Sequence, residues 1–217
     1  MLSTRGLREA VVLSAATEGA IREPVTPAEL RSRVESAVLL ADVRACGRTR
    51  QGTVTLVRTG AGALGLTNSH VVRGAGTVTL SGAGLGVVEA AVVDHLPGRD
   101  VARIDLDRLD PPPDAPLVVG GAVFVGDPVT TAGFPDGRWK VQEGRVVSVG
   151  RSGGWGGTGE VMVVDVPAVE GTSGGVVVDA SGRAAGLIVA RDPRSGNTVA
   201  YPMRDVVTRS AGAAVGC

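Results

Sequence analysis

The hydrophobic residues of this chain fall into many short runs rather than into long amphipathic stretches. Most runs are rich in valine and end at glycine, proline or aspartate. Runs of about five to ten residues with many β-branched side chains are typical of strands and not of helices. We therefore predict strands at 37–44, 52–58, 62–67, 76–80, 86–94 and 101–106, and then at 118–124, 128–133, 140–149, 160–166, 174–179, 184–190 and 197–202.

A proline-rich segment at 111–116 separates these two series of strands. Proline has no amide to donate to a sheet, so the segment predicts a linker. Two groups of about six strands indicate an all-β fold, with two six-stranded antiparallel β-barrels packed together. We place the barrels at 36–115 and 116–217, after an N-terminal extension at 1–35.

Helical signals occur only near the two ends of the chain. Residues 27–35 predict a short helix, with Thr26 as N-cap and Glu29 as its capping-box partner. A second short helix is expected at 204–212. The apolar run at 10–16 is too short to span a bilayer, and its acidic flanks argue against a signal peptide.

Candidate catalytic residues occur at three places along the chain. The segment 170–175, Glu-Gly-Thr-Ser-Gly-Gly, places Ser173 between glycines, while His70 and Asp100 lie upstream. A serine hydroxyl becomes a good nucleophile when an imidazole takes its proton and a carboxylate orients that imidazole. The set His70, Asp100 and Ser173 therefore indicates acyl transfer.

These segments resemble the trypsin-like serine proteases of the chymotrypsin fold, in their bacterial branch. Similarity extends to actinobacterial membrane-anchored periplasmic proteases and to HtrA/Deg protease domains, although no PDZ module follows here. The order and spacing of five segments carry the resemblance, which is more specific than a triad alone. They are 51–54 (QGTGF strand), 67–72 (TNxHVV box), 100–102 (DxA box), 132–135 (GYP turn) and 171–175 (GxSGG box).

The resemblance implies a serine endopeptidase with its site between the barrels. His70 would be the general base, Asp100 its orienting carboxylate and Ser173 the nucleophile. The backbone amides of Gly171 and Ser173 would form the oxyanion hole. His95 lacks a comparable context and is expected in a loop.

The remaining aspartates near the DxA box are expected to be solvated turn residues, the usual fate of such clusters. They are Asp94, Asp105, Asp107 and Asp110.

Departures from the family bear on regulation. Thr172 stands where trypsins carry an aspartate that pairs with a new N-terminus, and the chain has no Ile-Val-Gly-Gly start. We therefore expect no trypsin-type zymogen activation. Val176 replaces the usual proline, and Glu170 either repels acidic substrates or biases the loop away from its active form. A latent or inactive peptide-binding protein thus stays open as an alternative.

The specificity pocket follows from the resemblance alone, and cleavage after an uncharged, apolar side chain is expected. No acid lies where trypsin places one, so cleavage after Lys or Arg is not expected. Arg191 would narrow the entrance or pair with Glu170. The expected pocket residues are Pro167, Ala168, Val189, Ala190 and Arg191.

The two cysteines, Cys46 and Cys217, are far apart, and Cys46 is expected in a strand of the first barrel. Resemblance to the periplasmic relatives implies a disulfide between them, and two free thiols are the alternative. A disulfide would favour the cell envelope or secretion, and reduced thiols the cytosol.

Composition limits the classes of partner. The 217-residue chain has 22 Lys and Arg against 22 Asp and Glu, so its charge does not favour nucleic acid. A protein or peptide substrate is expected, with no metal or organic cofactor. An esterase is disfavoured, because its histidine usually comes last in the chain. Nothing in the sequence sets the oligomeric state.

Overall fold

Two β-barrels form the molecule, as seen in a computed structural model. The structure describes residues 25–60, 62–83, 85–96, 98–107, 109, 115–152, 159–207 and 216–217. Four of the six residues of the predicted linker, 111–114, lie outside these ranges, and so does the whole apolar run near the N-terminus.

The first barrel is an antiparallel sheet of six strands that closes through the pairing of β1 with β2. A seventh strand, β7, lies parallel to β2 at the rim of this barrel. The strands are β1 Val38–Ala45, β2 Arg48–Thr59, β3 Gly62–Thr67, β4 Thr77–Gly82, β5 Gly86–His95, β6 Ala102–Ile104 and β7 Leu117–Val118.

The second barrel is closed and has the order β10-β13-β12-β11-β8-β9. Its strands are β8 Pro128–Gly133, β9 Lys140–Ser152, β10 Gly159–Pro167, β11 Val176–Asp179, β12 Ala184–Arg191 and β13 Asn197–Pro202. The prediction of two six-stranded antiparallel barrels is confirmed.

Three short helices accompany the barrels: α1 Pro27–Ala37, α2 Ser69–Val72 and α3 Met203–Val207. Helix α1 begins as predicted, because the Thr26 hydroxyl accepts from the Glu29 amide while the Glu29 carboxylate accepts from the Thr26 amide. The Thr26 amide and the Thr26 hydroxyl both donate to the Glu29 carboxylate, and these two bonds lower the pKa of Glu29. Helix α3 is the expected C-terminal helix, although 208–215 lie outside the described residues. No helix in the described ranges has the length and apolar character needed to cross a membrane.

The prediction of a strand at 118–124 is wrong. Regular pairing stops at Val118, and only a single bridge joins Val119 to Ala184 of the second barrel. Gly120 then donates its amide to the Ala184 carbonyl at 2.8 Å. Two successive glycines weaken a strand, so this segment serves as a crossover between the barrels.

Cys46 lies in the turn between β1 and β2, which corrects its predicted place in a strand. Cys46 and Gly47 both have positive φ, 54° and 68°, a pattern found in tight hairpin turns. A disulfide joins Cys46 to Cys217 across 171 positions, with 5.7 Å between the Cα atoms. This bond attaches the C-terminus to the first barrel.

Candidate active site

His70 sits in the single helical turn α2, directly after strand β3. The neighbouring Val71 and Val72 are buried and fix the turn against the first barrel. The His70 side chain is 46% exposed, so its ring faces a solvent-accessible cleft. The buried residues on both sides of His70 therefore hold the imidazole in a fixed position at the edge of the cleft.

Asp100 is held beside His70 by the same turn. Asn68 donates its side-chain amide to the Asp100 carbonyl at 2.8 Å, and the Ser69 hydroxyl donates to the Val101 carbonyl at 2.9 Å. The Asp100 carboxylate accepts from the His70 backbone amide at 2.9 Å and lies 2.5 Å from Nδ1 of the ring. A proton on Nδ1 leaves the lone pair on Nε2, the atom needed for a general base.

Ser173 lies in the loop between strands β10 and β11. Gly174 follows it with φ of 84°, and a Cβ at this position would overlap the Thr53 carbonyl oxygen. Only glycine fits such a left-handed position against a neighbouring strand. The glycine after the serine therefore lets the loop press against the first barrel.

One cleft of about 430 Å³ contains His70, Gly171 and Ser173 in its wall, together with Asp136 and Glu170. Among the described residues, the Ser173 hydroxyl has no hydrogen bond to His70 within 3.5 Å. Such bonds are often long before substrate binds, so the separation is compatible with a nucleophile and its base.

The loop also orients two backbone amides. The N–H and C=O of a trans peptide point in opposite directions. The Glu170 carbonyl accepts from the Asp136 amide at 3.0 Å, and the Thr172 carbonyl from the Gly175 amide at 2.8 Å. The amides on the opposite sides of these two peptides are those of Gly171 and Ser173, and within the described residues neither has an intramolecular acceptor.

His95 is buried, which makes its prediction as a loop residue wrong. It ends strand β5 with 4% exposure, and its Nδ1 lies 2.9 Å from the Ser69 hydroxyl. Because that hydroxyl donates to Val101, His95 must donate from Nδ1. Burial lowers the pKa of His95, against the opposing charges of Asp94 and Asp100.

Asp94 is likewise not a solvated turn residue. It belongs to strand β5, is 7% exposed and lies 3.7 Å from the Arg103 guanidinium. A cationic neighbour of this kind allows a carboxylate to be buried within a barrel.

The predicted pocket residues lie at the ends of strands β10 and β12, and none of them is among the described residues that line the cleft with Ser173. Pro167 ends strand β10 opposite Asn197, and the Ala168 amide donates to the Gly196 carbonyl at 3.1 Å. The other three predicted residues, Val189, Ala190 and Arg191, end strand β12. Arg191 is exposed and lies against Gly196, and the described ion pairs do not join it to Glu170.

Sequence reasoning missed Asp136, which contacts the loop from the other side of the cleft. It lies in the turn Pro135–Gly137 with φ of 49°. The Pro-Asp-Gly sequence is a recognisable turn signal, because aspartate tolerates the left-handed region. The sequence does not indicate, however, that the Asp136 amide pairs with the Glu170 carbonyl.

Comparisons with known proteins agree with this geometry. The family model of the trypsin-like peptidase domain matches residues 52–187, more than half of the chain. Serine protease Rv3671c of Mycobacterium tuberculosis is 31% identical over 137 residues, covering 57% of this chain. The match covers 32% of that relative, so the chain spans about a third of the curated relatives it matches.

Solved structures show the same fold. The active form of the Rv3671c protease from M. tuberculosis is 25% identical with a TM-score of 0.74, covering 89% of this chain and 90% of that one. The HtrA-type protease AlgW S227A variant with a tripeptide is 25% identical with a TM-score of 0.72, covering 84% and 62%. With the family model matched across both barrels, this chain belongs to the trypsin-like peptidase family.

Proposed function

We propose that this protein is a serine endopeptidase that hydrolyses peptide bonds through an acyl-enzyme on Ser173. The observation that carries the proposal is the short contact of 2.5 Å between His70 Nδ1 and Asp100 Oδ2, in a cleft shared with Ser173. The AlgW variant with a tripeptide supports a peptide as the substrate class.

The chemistry begins when Ser173 Oγ attacks the scissile carbonyl carbon and its proton moves to Nε2 of His70. The oxyanion that forms accepts hydrogen bonds from the amides of Gly171 and Ser173. Asp100 stays ionised and stabilises the imidazolium.

Breakdown of the tetrahedral intermediate breaks the C–N bond, and His70 returns its proton to the leaving amine. Water then attacks the acyl-enzyme with His70 as base, which releases the acid and restores Ser173. Every proton in this cycle is carried by His70, so the scheme requires no cofactor.

A fluorophosphonate probe with mass spectrometry of tryptic peptides tests the proposal. Ser173 Oγ displaces fluoride from phosphorus, so an activated serine acquires one adduct. We expect an adduct on Ser173 in the wild-type protein and its loss in Ser173→Ala and His70→Ala. Turnover of peptide rather than ester substrates then separates a peptidase from an esterase. A folded protein without an adduct would instead indicate a latent or peptide-binding protein.

A further inference from the structure

Thr53 connects the first barrel to the Ser173 loop through its side chain. It lies on strand β2, is fully buried, and its hydroxyl donates to the Gly171 carbonyl at 2.8 Å. The same hydroxyl accepts from the Phe134 amide at 3.0 Å. Because a hydroxyl can donate one hydrogen bond and accept another, the Thr53 side chain joins two segments of the second barrel at once.

Both segments control the direction of the Gly171 amide. The Gly171 carbonyl belongs to the peptide that follows that amide. Phe134 opens the turn in which the Asp136 amide holds the Glu170 carbonyl at 3.0 Å. Thr53 therefore fixes the loop directly at Gly171 and indirectly through the turn that orients the preceding peptide.

The loop has few other means of staying in this arrangement. Thr172 carries no charge and donates its hydroxyl locally, to the Val169 carbonyl at 2.6 Å. Gly171 has φ of 88°, and glycine adopts many backbone conformations readily. Within the described ranges, one backbone hydrogen bond also ties this loop to the first barrel, from the Thr53 amide to the Ser173 carbonyl at 2.8 Å, and it acts beyond Gly171.

We propose that Thr53 is a positioning residue of the oxyanion loop, whose hydroxyl makes formation of the hole depend on contact between the barrels. This inference rests on the function proposed above. It assigns to a first-barrel side chain the control of an amide in the second barrel. Thr53 does not itself touch the substrate.

The test compares three variants by the second-order rate constant for fluorophosphonate labelling. Thr53→Val keeps the shape of the side chain without its hydroxyl, and Thr53→Ser keeps the hydroxyl. Thr55→Val is the matched control, because Thr55 is also fully buried on β2 and donates to the Gly174 carbonyl at 2.8 Å. Its bond lies beyond the serine, where the Gly174 amide is already fixed by the Ile188 carbonyl at 2.9 Å.

We expect Thr53→Val to label at least about tenfold more slowly, because a mobile oxyanion donor stabilises the transition state poorly. Thr53→Ser should stay within threefold of wild type, and so should Thr55→Val despite a similar loss of thermal stability. The pH profile of the labelling rate should have the same shape in all folded variants, since neither threonine has a hydrogen bond to His70 or Asp100 among the described residues.

Two results overturn the inference while leaving the peptidase intact: a folded Thr53→Val that labels at the wild-type rate, or equal losses in Thr53→Val and Thr55→Val. If Thr53→Val does not fold, Thr53→Cys takes its place, because a thiol is a weaker donor. A wild-type labelling rate in that folded variant also overturns the inference. A wild-type protein that acquires no adduct overturns the proposed function and this assignment with it.

Discussion

Replacement of Gly171 by alanine tests whether the orientation of one peptide controls the reaction. Gly171 has φ of 88°, and alanine in the left-handed region costs roughly 1–2 kcal/mol. The new Cβ would overlap the Phe134 carbonyl oxygen and lie 3.1 Å from the Asp136 amide nitrogen. Because both are backbone atoms, the loop must shift, and the Gly171 amide moves with it.

The expected effect on catalysis is larger than the effect on folding. Loss of one oxyanion donor typically costs about 2.7–4 kcal/mol of transition-state stabilisation, or about 10²–10³ in rate. We therefore expect Gly171→Ala to slow fluorophosphonate labelling by at least about 100-fold. Its free energy of unfolding should fall by about 1–3 kcal/mol, through the strained φ and the overlap.

Labelling kinetics and urea unfolding at the same pH measure the two effects separately. Gly121→Ala is the control, since Gly121 is outside the left-handed region and a Cβ there meets no heavy atom within 4 Å. This control should label at the wild-type rate. A folded Gly171→Ala that labels within threefold of wild type would refute the role of this amide.

Three further predictions concern the groups around the site. Asp100→Asn should lower the labelling rate by about 10⁴-fold at neutral pH with little change in the circular dichroism spectrum, because the His70 tautomer is no longer fixed. Replacing Cys46 and Cys217 by serine should lower the free energy of unfolding by up to about 5 kcal/mol in the chain-entropy model, measured in urea. An unchanged unfolding midpoint would contradict this. Burial lowers the pKa of His95, so below pH about 6.5 the unfolded chain binds the proton preferentially and the native state loses stability. The stability advantage of wild type over His95→Asn should therefore shrink as pH falls from 7.5 to 5.5, and parallel pH dependences would contradict the idea.

The barrels could be predicted because their signal is local. Short valine-rich runs between turn residues specify strands wherever one face is buried, and the boundaries agree to within a few residues for most of them. The strand prediction at 118–124 was wrong because the valines there flank two glycines. The bridge that Val119 forms is to Ala184 of the other barrel. The burial of His95 was missed for a related reason, since the Ser69 hydroxyl that accepts its hydrogen bond is 26 positions away.

The direction of the Gly171 and Ser173 amides could not be predicted from the glycine-rich segment itself. The glycines of that segment permit many backbone conformations, and hydrogen-bond partners that are remote in sequence select one of them. The bond from Thr53 to Gly171 joins residues 118 positions apart. The Asp136 amide that holds Glu170 is also distant along the chain, and it depends on a left-handed aspartate. A motif can therefore indicate a candidate nucleophile without specifying the hydrogen bonds around it.

The chemical nature of the groups that hold the Ser173 loop determines which conditions can release it. In a loop held by an ion pair with a new N-terminus, the active geometry depends on proteolysis and on the protonation of two charged groups. Here the anchors are a hydroxyl and backbone amides, since Thr172 offers no carboxylate. Hydroxyl and backbone amide groups do not titrate near neutral or mildly acidic pH, so acid does not act on these anchors directly. We therefore expect the loop to keep this geometry wherever the barrels stay in contact. Substitutions that weaken the contact between β2 and the Ser173 loop should therefore slow fluorophosphonate labelling.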